Sequence, residues 1–142
     1  AAYEEYGGPG IVVDFGTATS FDAVGGNGDY LGGAIFPGIG ISADALFAAA
    51  AKLPRVELRK PGPPIGRTTV DSLTGGMVYG YASMVDGMVR RFREELGQGA
   101  QAIATGGLAD LIAAESETLE TVDPWLTLKG LRLLWERQEG AV

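Results

Sequence analysis

The sequence predicts a mixed α/β fold, a single sheet that opens with a three-strand antiparallel meander and carries helices on its faces. Three observations predict it. Apolar or alternating runs at 11–14, 19–24 and 29–36 are joined by stretches too short to hold a crossover helix. Helical patterns follow, interleaved with two more short apolar runs, the order that packs helices onto a sheet. The 23 glycines gather at the joints between runs rather than at a fixed period, which excludes collagen-like and low-complexity chains.

Each element has its own reason. "AAYEEYGGPG" has no initiating Met and reads as the last turns of a helix closed by Gly7, Gly8 and Pro9, so the chain is expected to begin inside something larger. Ile11 to Asp14 is a β-branched run, a buried strand. Thr19 to Val24 alternates and forms the second strand, and "GGNG" at 25–28 is a hairpin turn. Asp29 to Phe36 is the third strand, whose glycines predict a bulge or a close backbone approach. Ser42 is expected to cap a helix over Ala43 to Leu53. A loop with four prolines carries Arg55, Arg59, Lys60 and Arg67. Val70 to Leu96 is a long helix or a helix pair. Leu73, Met77, Tyr81, Met84 and Met88 fall on one helical stripe. Gly76, Gly80, Ser83 and Gly87 lie beside it, and glycines of that kind permit close approach of another helix. "AQAIATGGL" is a fourth strand ending in a glycine pair, "LADLIAAES" a short helix and "TLETV" a last strand. Asp123 is expected to cap a final helix with Pro124 in its first position, and Leu128, Leu131 and Trp135 line one face of it.

The composition removes several chemistries. The chain has 142 residues, suited to one domain. It has neither cysteine nor histidine, so disulfides, thiolate or imidazole metal sites and Ser-His-Asp catalysis are excluded. Acid–base work falls to Asp and Glu, or to Lys and Tyr with shifted pKa. The net charge of −7 disfavours a nucleic-acid surface. The absence of a membrane-spanning run or signal peptide, together with the lack of cysteine, fits a cytoplasmic protein.

The most informative stretch is "IVVDFGTATSFDAV", residues 11–24. It is not a P-loop, which needs Gly-Lys-Ser/Thr opening a helix, nor a dinucleotide fingerprint, because strand is followed by strand. Its turn, Gly16-Thr17-Ala18-Thr19, offers backbone N–H groups and two hydroxyls, donors that can surround phosphate oxygens without a cationic side chain. The phosphate charge then needs a bound cation. Asp14 is the right hard oxygen ligand for it, with Asp22 a second candidate. The same residues also fit a plain tight hairpin in which Thr17, Thr19 and Asp14 only satisfy local amides. "ATGGL" likewise ends a strand before a helix. Gly106 and Gly107 would let the backbone lie flat against a planar ring such as adenine, although a simple strand-to-helix turn reads the same way.

Taken together these motifs resemble a known family. "DFGTATSFD" is similar to the second phosphate motif, and "ATGGL" to the adenosine motif, of the acetate/sugar kinase, heat-shock ATPase and actin superfamily, whose lobes are ribonuclease H-like. "GGAIFPGIGISADALFAAAAKLPRVEL", "IGRTTVDSLTGGMVYGY" and "VDPWLTLKGLRLLWER" resemble, more closely, the C-terminal half of type III pantothenate kinase, along nearly the whole chain. The resemblance implies ATP-dependent phosphorylation of pantothenate to 4'-phosphopantothenate, the first step of coenzyme A synthesis. It implies a cytoplasmic homodimer that uses Mg²⁺ and K⁺ or NH₄⁺, with no nucleic-acid or membrane partner. Asp14 matches the monovalent-cation position. Gly16, Thr17 and Thr19 match the phosphate hairpin, Gly106 and Gly107 the adenosine loop, and Thr69 a threonine that touches pantothenate across the dimer. Ser20 stands where many members have threonine. Two family elements are missing, the first phosphate motif (Asp-x-Gly-Asn-Thr) and the Gly-Ala-Asp-Arg segment that carries the catalytic base. Residues 1–142 are thus expected to be the C-terminal lobe of a two-lobed kinase, inactive alone. Other readings of these residues are a non-catalytic dimerising or nucleotide-binding module of the same fold, and another phosphotransferase such as a sugar kinase or polyphosphatase. The basic loop Arg55–Arg67 could suit an anionic substrate, but a solvated, proline-stiffened surface is the favoured reading of it.

Overall fold

Strand β1 (Gly10–Phe15) is the centre of the fold, and the computed structural model, which describes residues 1–50 and 52–140, builds outward from it on both sides. β2 (Ala18–Val24) returns antiparallel beside it, pairing Phe15 with Thr19 and Asp14 with Ser20. β3 (Tyr30–Pro37) continues the meander at the edge. On the other flank β4 (Gln101–Thr105) runs parallel to β1, and β5 (Thr121–Val122) runs parallel to β4. The sheet order is β3-β2-β1-β4-β5. A meander extended by parallel strands is the ribonuclease H-like lobe expected from the sequence. The glycine signal in β3 has a structural cause. The register shifts between Ala23 and Val24 opposite Gly32, whose φ is +113°. A Cβ on Gly33 would lie 2.0 Å from the Phe21 carbonyl oxygen.

Five helices complete the chain: α1 (Ala2–Tyr6), α2 (Ile39–Ala49), α3 (Thr69–Leu96), α4 (Ala109–Ala113) and α5 (Leu126–Glu139). The core lies between one face of the sheet and α3. Ile11, Val13, Phe15, Phe21, Ala102 and Ala104 meet Val78, Tyr81, Ala82, Val85 and Val89 there. Residues 69–96 form one helix of 28 residues rather than a pair. Leu73 and Tyr81 of the expected stripe are buried, but its Met77, Met84 and Met88 are only partly buried at the flank, and the inward line continues instead through Thr74, Val78, Val85 and Val89, one position round.

Three helix boundaries differ from expectation. Ser42 does not cap α2. That helix starts at Ile39 with Gly38 as its N-cap and ends at Ala49, not Leu53; Ala51 lies outside the described residues. Ile39 is fully buried, and its burial draws the helix start forward. The Ser42 hydroxyl is instead bonded to the Tyr81 hydroxyl at 2.6 Å, and Tyr81 donates to the Pro37 carbonyl. Asp123 does not directly cap α5 either. Its carboxylate accepts from the Trp125 amide at 3.0 Å, but Asp123 lies two residues ahead of the helix's N-cap, which is Trp125 itself. Asp123 is buried because it also takes the Tyr6 hydroxyl and Lys129 Nζ, both at 2.9 Å, which joins α1 to α5. Burial raises its carboxyl pKa, but these donors outweigh that effect and hold it below the usual value. Leu128, Leu131 and Trp135 do share one face of α5, and that face is exposed.

Candidate functional site

The β1–β2 hairpin and the β4–α4 loop, far apart in sequence, meet at one end of the sheet. Parallel pairing sets Asp14 beside Thr105, so Gly106 follows directly next to the hairpin. Gly106 has φ +95°, and a Cβ there would lie 2.6 Å from Asp14 Oδ1 and 2.7 Å from the Phe15 carbonyl oxygen. Only glycine fits, both for its backbone angle and for space. A Cβ on Gly16 would lie 3.6 Å from the same Asp14 oxygen. The Asp14 carboxylate is therefore bracketed by Gly16 and Gly106.

A third segment supports the turn from behind. Gly38 donates its N–H to the Thr17 carbonyl at 3.1 Å, and a Cβ there would come within 2.2 Å of that oxygen and 2.6 Å of the Gly16 carbonyl. Gly38 is a site-shaping residue that the sequence reading passed over. Its signal was the Pro37-Gly38 pair closing a strand. Thr17 is exposed at the tip of the turn.

Asp14 is half-buried, and among the described residues no donor lies within hydrogen-bonding distance of its side chain. Burial, and then the negative charge of Asp22, push its carboxyl above the ordinary carboxylate range. Asp22 is itself held by Ser20 Oγ and the Tyr30 hydroxyl, both at 3.2 Å. A carboxylate with no cationic partner next to a second carboxylate is suited to bind a metal cation. Among the described residues no cluster of three or more acidic side chains forms a cage by itself. A cation here would need further oxygens from elsewhere, as a phosphate-bridging ion does.

Thr19 is a correction. It was expected to present its hydroxyl in the bend, but β2 begins one residue earlier, and Thr19 pairs with Phe15 on the core face, opposite to Asp14. It is fully buried, and its Oγ1 has no partner among the described residues. Its side chain lies on the core face of the sheet, away from the face that carries Asp14. Gly107 is exposed, and a Cβ there would meet nothing within 4 Å. Thr69 belongs to a different neighbourhood. It is the first residue of α3, exposed, while Thr68 is the cap and accepts from the Asp71 amide at 3.1 Å. Of the expected residues, the structure thus joins Asp14, Gly16, Thr17 and Gly106, with Gly107 at the margin. Thr19 turns inward, and Thr69 stands at the start of the long helix.

Comparison with known proteins adds a family. The family model for type III pantothenate kinase matches residues 1–91. The type III pantothenate kinase of Moorella thermoacetica is 58% identical over 137 residues, covering 96% of this chain and 54% of that protein. That of Roseiflexus sp. (strain RS-1) is 57% identical over 136 residues, covering 96% of this chain and 53% of its own length. The chain spans about half the length of these curated relatives. A solved Campylobacter jejuni structure, assigned to the Baf family of transcriptional activators, is 21% identical and superposes with a TM-score of 0.67 over 98% of this chain and 62% of that one, which shows a shared fold.

Proposed function

The chain belongs to the type III pantothenate kinase family, and on that premise we propose that it is the C-terminal lobe of a two-lobed, cytoplasmic, homodimeric kinase. The reaction transfers the γ-phosphoryl group of ATP to the primary alcohol of pantothenate, giving 4'-phosphopantothenate. The observation that carries this reading is the abutment of the Asp14 hairpin and the Gly106 loop, since ATP needs a phosphate cradle and an adenosine platform at one place. Backbone N–H groups of the turn and the Thr17 hydroxyl would face the phosphate oxygens. Asp14 would hold K⁺ or NH₄⁺ beside them, and Mg²⁺ would supply the charge neutralisation that phosphoryl transfer requires. Gly107 supports an adenosine contact, because nothing in this chain's own packing excludes a side chain there, whereas a flat ring stacked on the backbone would. The general base and the first phosphate motif are assigned to the N-terminal lobe.

Dimerisation is assigned to α3. A Cβ on Gly76, Gly80 or Gly87 would have no other part of the chain within 4 Å, apart from the adjoining residues of the helix itself, although glycine inside a helix is worth up to about 1 kcal/mol less than alanine. A neighbour outside the chain accounts for them, and a monomer in ultracentrifugation of the two-lobed protein would contradict the assignment. Among the described residues no helix is long and apolar enough to cross a membrane. The net charge of −7 gives no support to nucleic acid as a partner.

The test is a substrate panel on the two-lobed protein with ATP, Mg²⁺ and K⁺, offering pantothenate, hexoses and polyphosphate. Turnover confined to pantothenate is expected. Turnover of a sugar or polyphosphate instead, or nucleotide binding with no transfer, would replace the reading with another phosphotransferase or a binding module.

A further inference from the structure

Tyr81 carries a hydroxyl into an otherwise apolar stretch of α3. Val78, Ala82 and Val85 surround it on the inward face, and it is only 7% exposed. Its ring meets Phe36 edge-on, with centroids 5.9 Å apart. A phenylalanine would fill the same space, and a buried hydroxyl is costly unless it is bonded. This one has two partners. It donates to the Pro37 carbonyl at 2.8 Å and lies 2.6 Å from Ser42 Oγ. A phenol has one proton. With that proton on Pro37, Ser42 is the donor in the second bond.

The Pro37 carbonyl belongs to the same peptide unit as the Gly38 N–H, which donates to the Thr17 carbonyl at 3.1 Å. The unit is trans and planar, so its C=O and N–H point in opposite directions, and fixing one aims the other. A single peptide therefore spans from α3 to the β1–β2 turn. Bonds in such a run polarise one another, here from Ser42 through Tyr81 and the Pro37–Gly38 peptide to Thr17. Gly38 is buried against the turn, and the missing Cβ is what lets its backbone come so close to the Gly16 and Thr17 carbonyls.

We propose that Tyr81 is a positioning residue for the phosphate hairpin. Its hydroxyl holds the Pro37–Gly38 peptide, and that peptide sets where the Gly16–Thr17 turn presents its donors. The proposal rests on the reading of this turn as the ATP phosphate cradle and deepens it. Tyr81 acts through the backbone, not by contact with substrate. Donors displaced by a fraction of an ångström lose much of their hold on the charge that develops during transfer. The effect belongs to the nucleotide and leaves pantothenate binding alone.

The test compares the two-lobed protein with its Tyr81→Phe and Tyr79→Phe variants. Tyr79→Phe removes the same kind of bond from the same helix, a tyrosine hydroxyl on a loop carbonyl, that of Gly62 at 2.8 Å, but lies outside the run to Thr17. Amide hydrogen exchange by NMR is read at Gly38 and, as a reference, at Val13 in the central strand. Tyr81→Phe should speed exchange at Gly38 at least about tenfold relative to Val13. It should lower kcat/KM for ATP at least about tenfold and leave KM for pantothenate unchanged. Tyr79→Phe should leave the Gly38 exchange and the constants for ATP at their wild-type values. The ratio to Val13 keeps the test decisive if Tyr81→Phe melts earlier. Gly38 exchange that is no faster, or that rises only in step with Val13, would mean that the hydroxyl supports the fold alone. Faster exchange with unchanged constants for ATP would mean that the cradle does not depend on this peptide. An equal loss for ATP in Tyr79→Phe would assign it to a general loosening of α3. Each of these overturns the positioning role while leaving the kinase standing. A wild-type protein that does not phosphorylate pantothenate would overturn the kinase reading and the proposal with it.

Discussion

Replacing Gly106 with alanine strains the one point where the two motifs touch. The added Cβ would sit 2.6 Å from Asp14 Oδ1 and 2.7 Å from the Phe15 carbonyl oxygen. The Asp14 side chain can swing aside, but the Phe15 carbonyl is main chain in the central strand and cannot. The backbone at φ +95° adds its own penalty for a residue with a Cβ. A strained dihedral is worth about 1–3 kcal/mol and an overpacked contact about 1–3 kcal/mol, so Gly106→Ala should lower stability by about 2–6 kcal/mol. Gly107→Ala is the control. With nothing within 4 Å of the new methyl group and no positive φ, its effect on folding should stay within about 0.5 kcal/mol. Urea titration followed by circular dichroism measures both. If Gly106→Ala unfolds at the wild-type midpoint, the loop does not press on the hairpin and the site as described is wrong. If Gly107→Ala folds normally and also leaves KM for ATP unchanged, the adenosine platform lies elsewhere.

Three further outcomes follow from the same geometry. Asp14→Asn in the two-lobed protein should lose most activity and most of its response to K⁺. It should melt no earlier at neutral pH, because a carboxyl with a raised pKa favours the fold only at acid pH and loses that contribution as pH rises through the raised value. Thr69→Ala should raise KM for pantothenate more than about tenfold, leave KM for ATP alone and leave stability alone, while Thr68→Ala, which removes the cap, should lose about 1 kcal/mol. Asp86, buried on α3, accepts the hydroxyls of Ser116 and Thr118 and the amides of Glu117 and Thr118. Burial raises its carboxyl pKa, but these donors more than reverse the effect. Its contribution is therefore present above the unfolded carboxyl range, near about 4, and disappears as pH falls through the lower folded value. Asp86→Ala should lose about 2–4 kcal/mol at pH 7 by orphaning those donors, and the deficit relative to wild type should shrink in acid, as read by pH-dependent denaturation.

The legible part of this fold was local. Alternation over Thr19–Val24 and the "GGNG" turn gave the meander, and the four-and-three spacing from Leu73 gave the long helix. The glycine pair marked a backbone that must come close to something, but Asp14 as that neighbour was set by the parallel β1–β4 pairing, a contact between residues about ninety positions apart that no local pattern encodes. Thr19 was misread although the signal was available. Phe15, Thr19 and Phe21 are of one parity, so the period that put the phenylalanines in the core put the threonine there too. Ser42 was a plausible cap by composition, yet the burial of Ile39 and the seat of Gly38 on the hairpin decided where the helix begins. The inward face of α3 was displaced because apolar residues surround much of that helix, and only contact with the sheet selects among them. Asp86 carried no sequence signal, since its partners lie some thirty residues away on another segment.

The central claim is that this lobe supplies the ATP cradle of a pantothenate kinase and that its partner lobe supplies the base. The most direct measurement incubates pantothenate with ATP, Mg²⁺ and K⁺, once with the two-lobed protein and once with the 142-residue chain, and follows 4'-phosphopantothenate by mass spectrometry. Equimolar ADP and phosphopantothenate are expected from the first and no product from the second, because a general base is worth about 10²–10⁴-fold and the first phosphate motif is assigned to the other lobe as well. Product from the chain alone, or ADP without phosphopantothenate from the two-lobed protein, would contradict it.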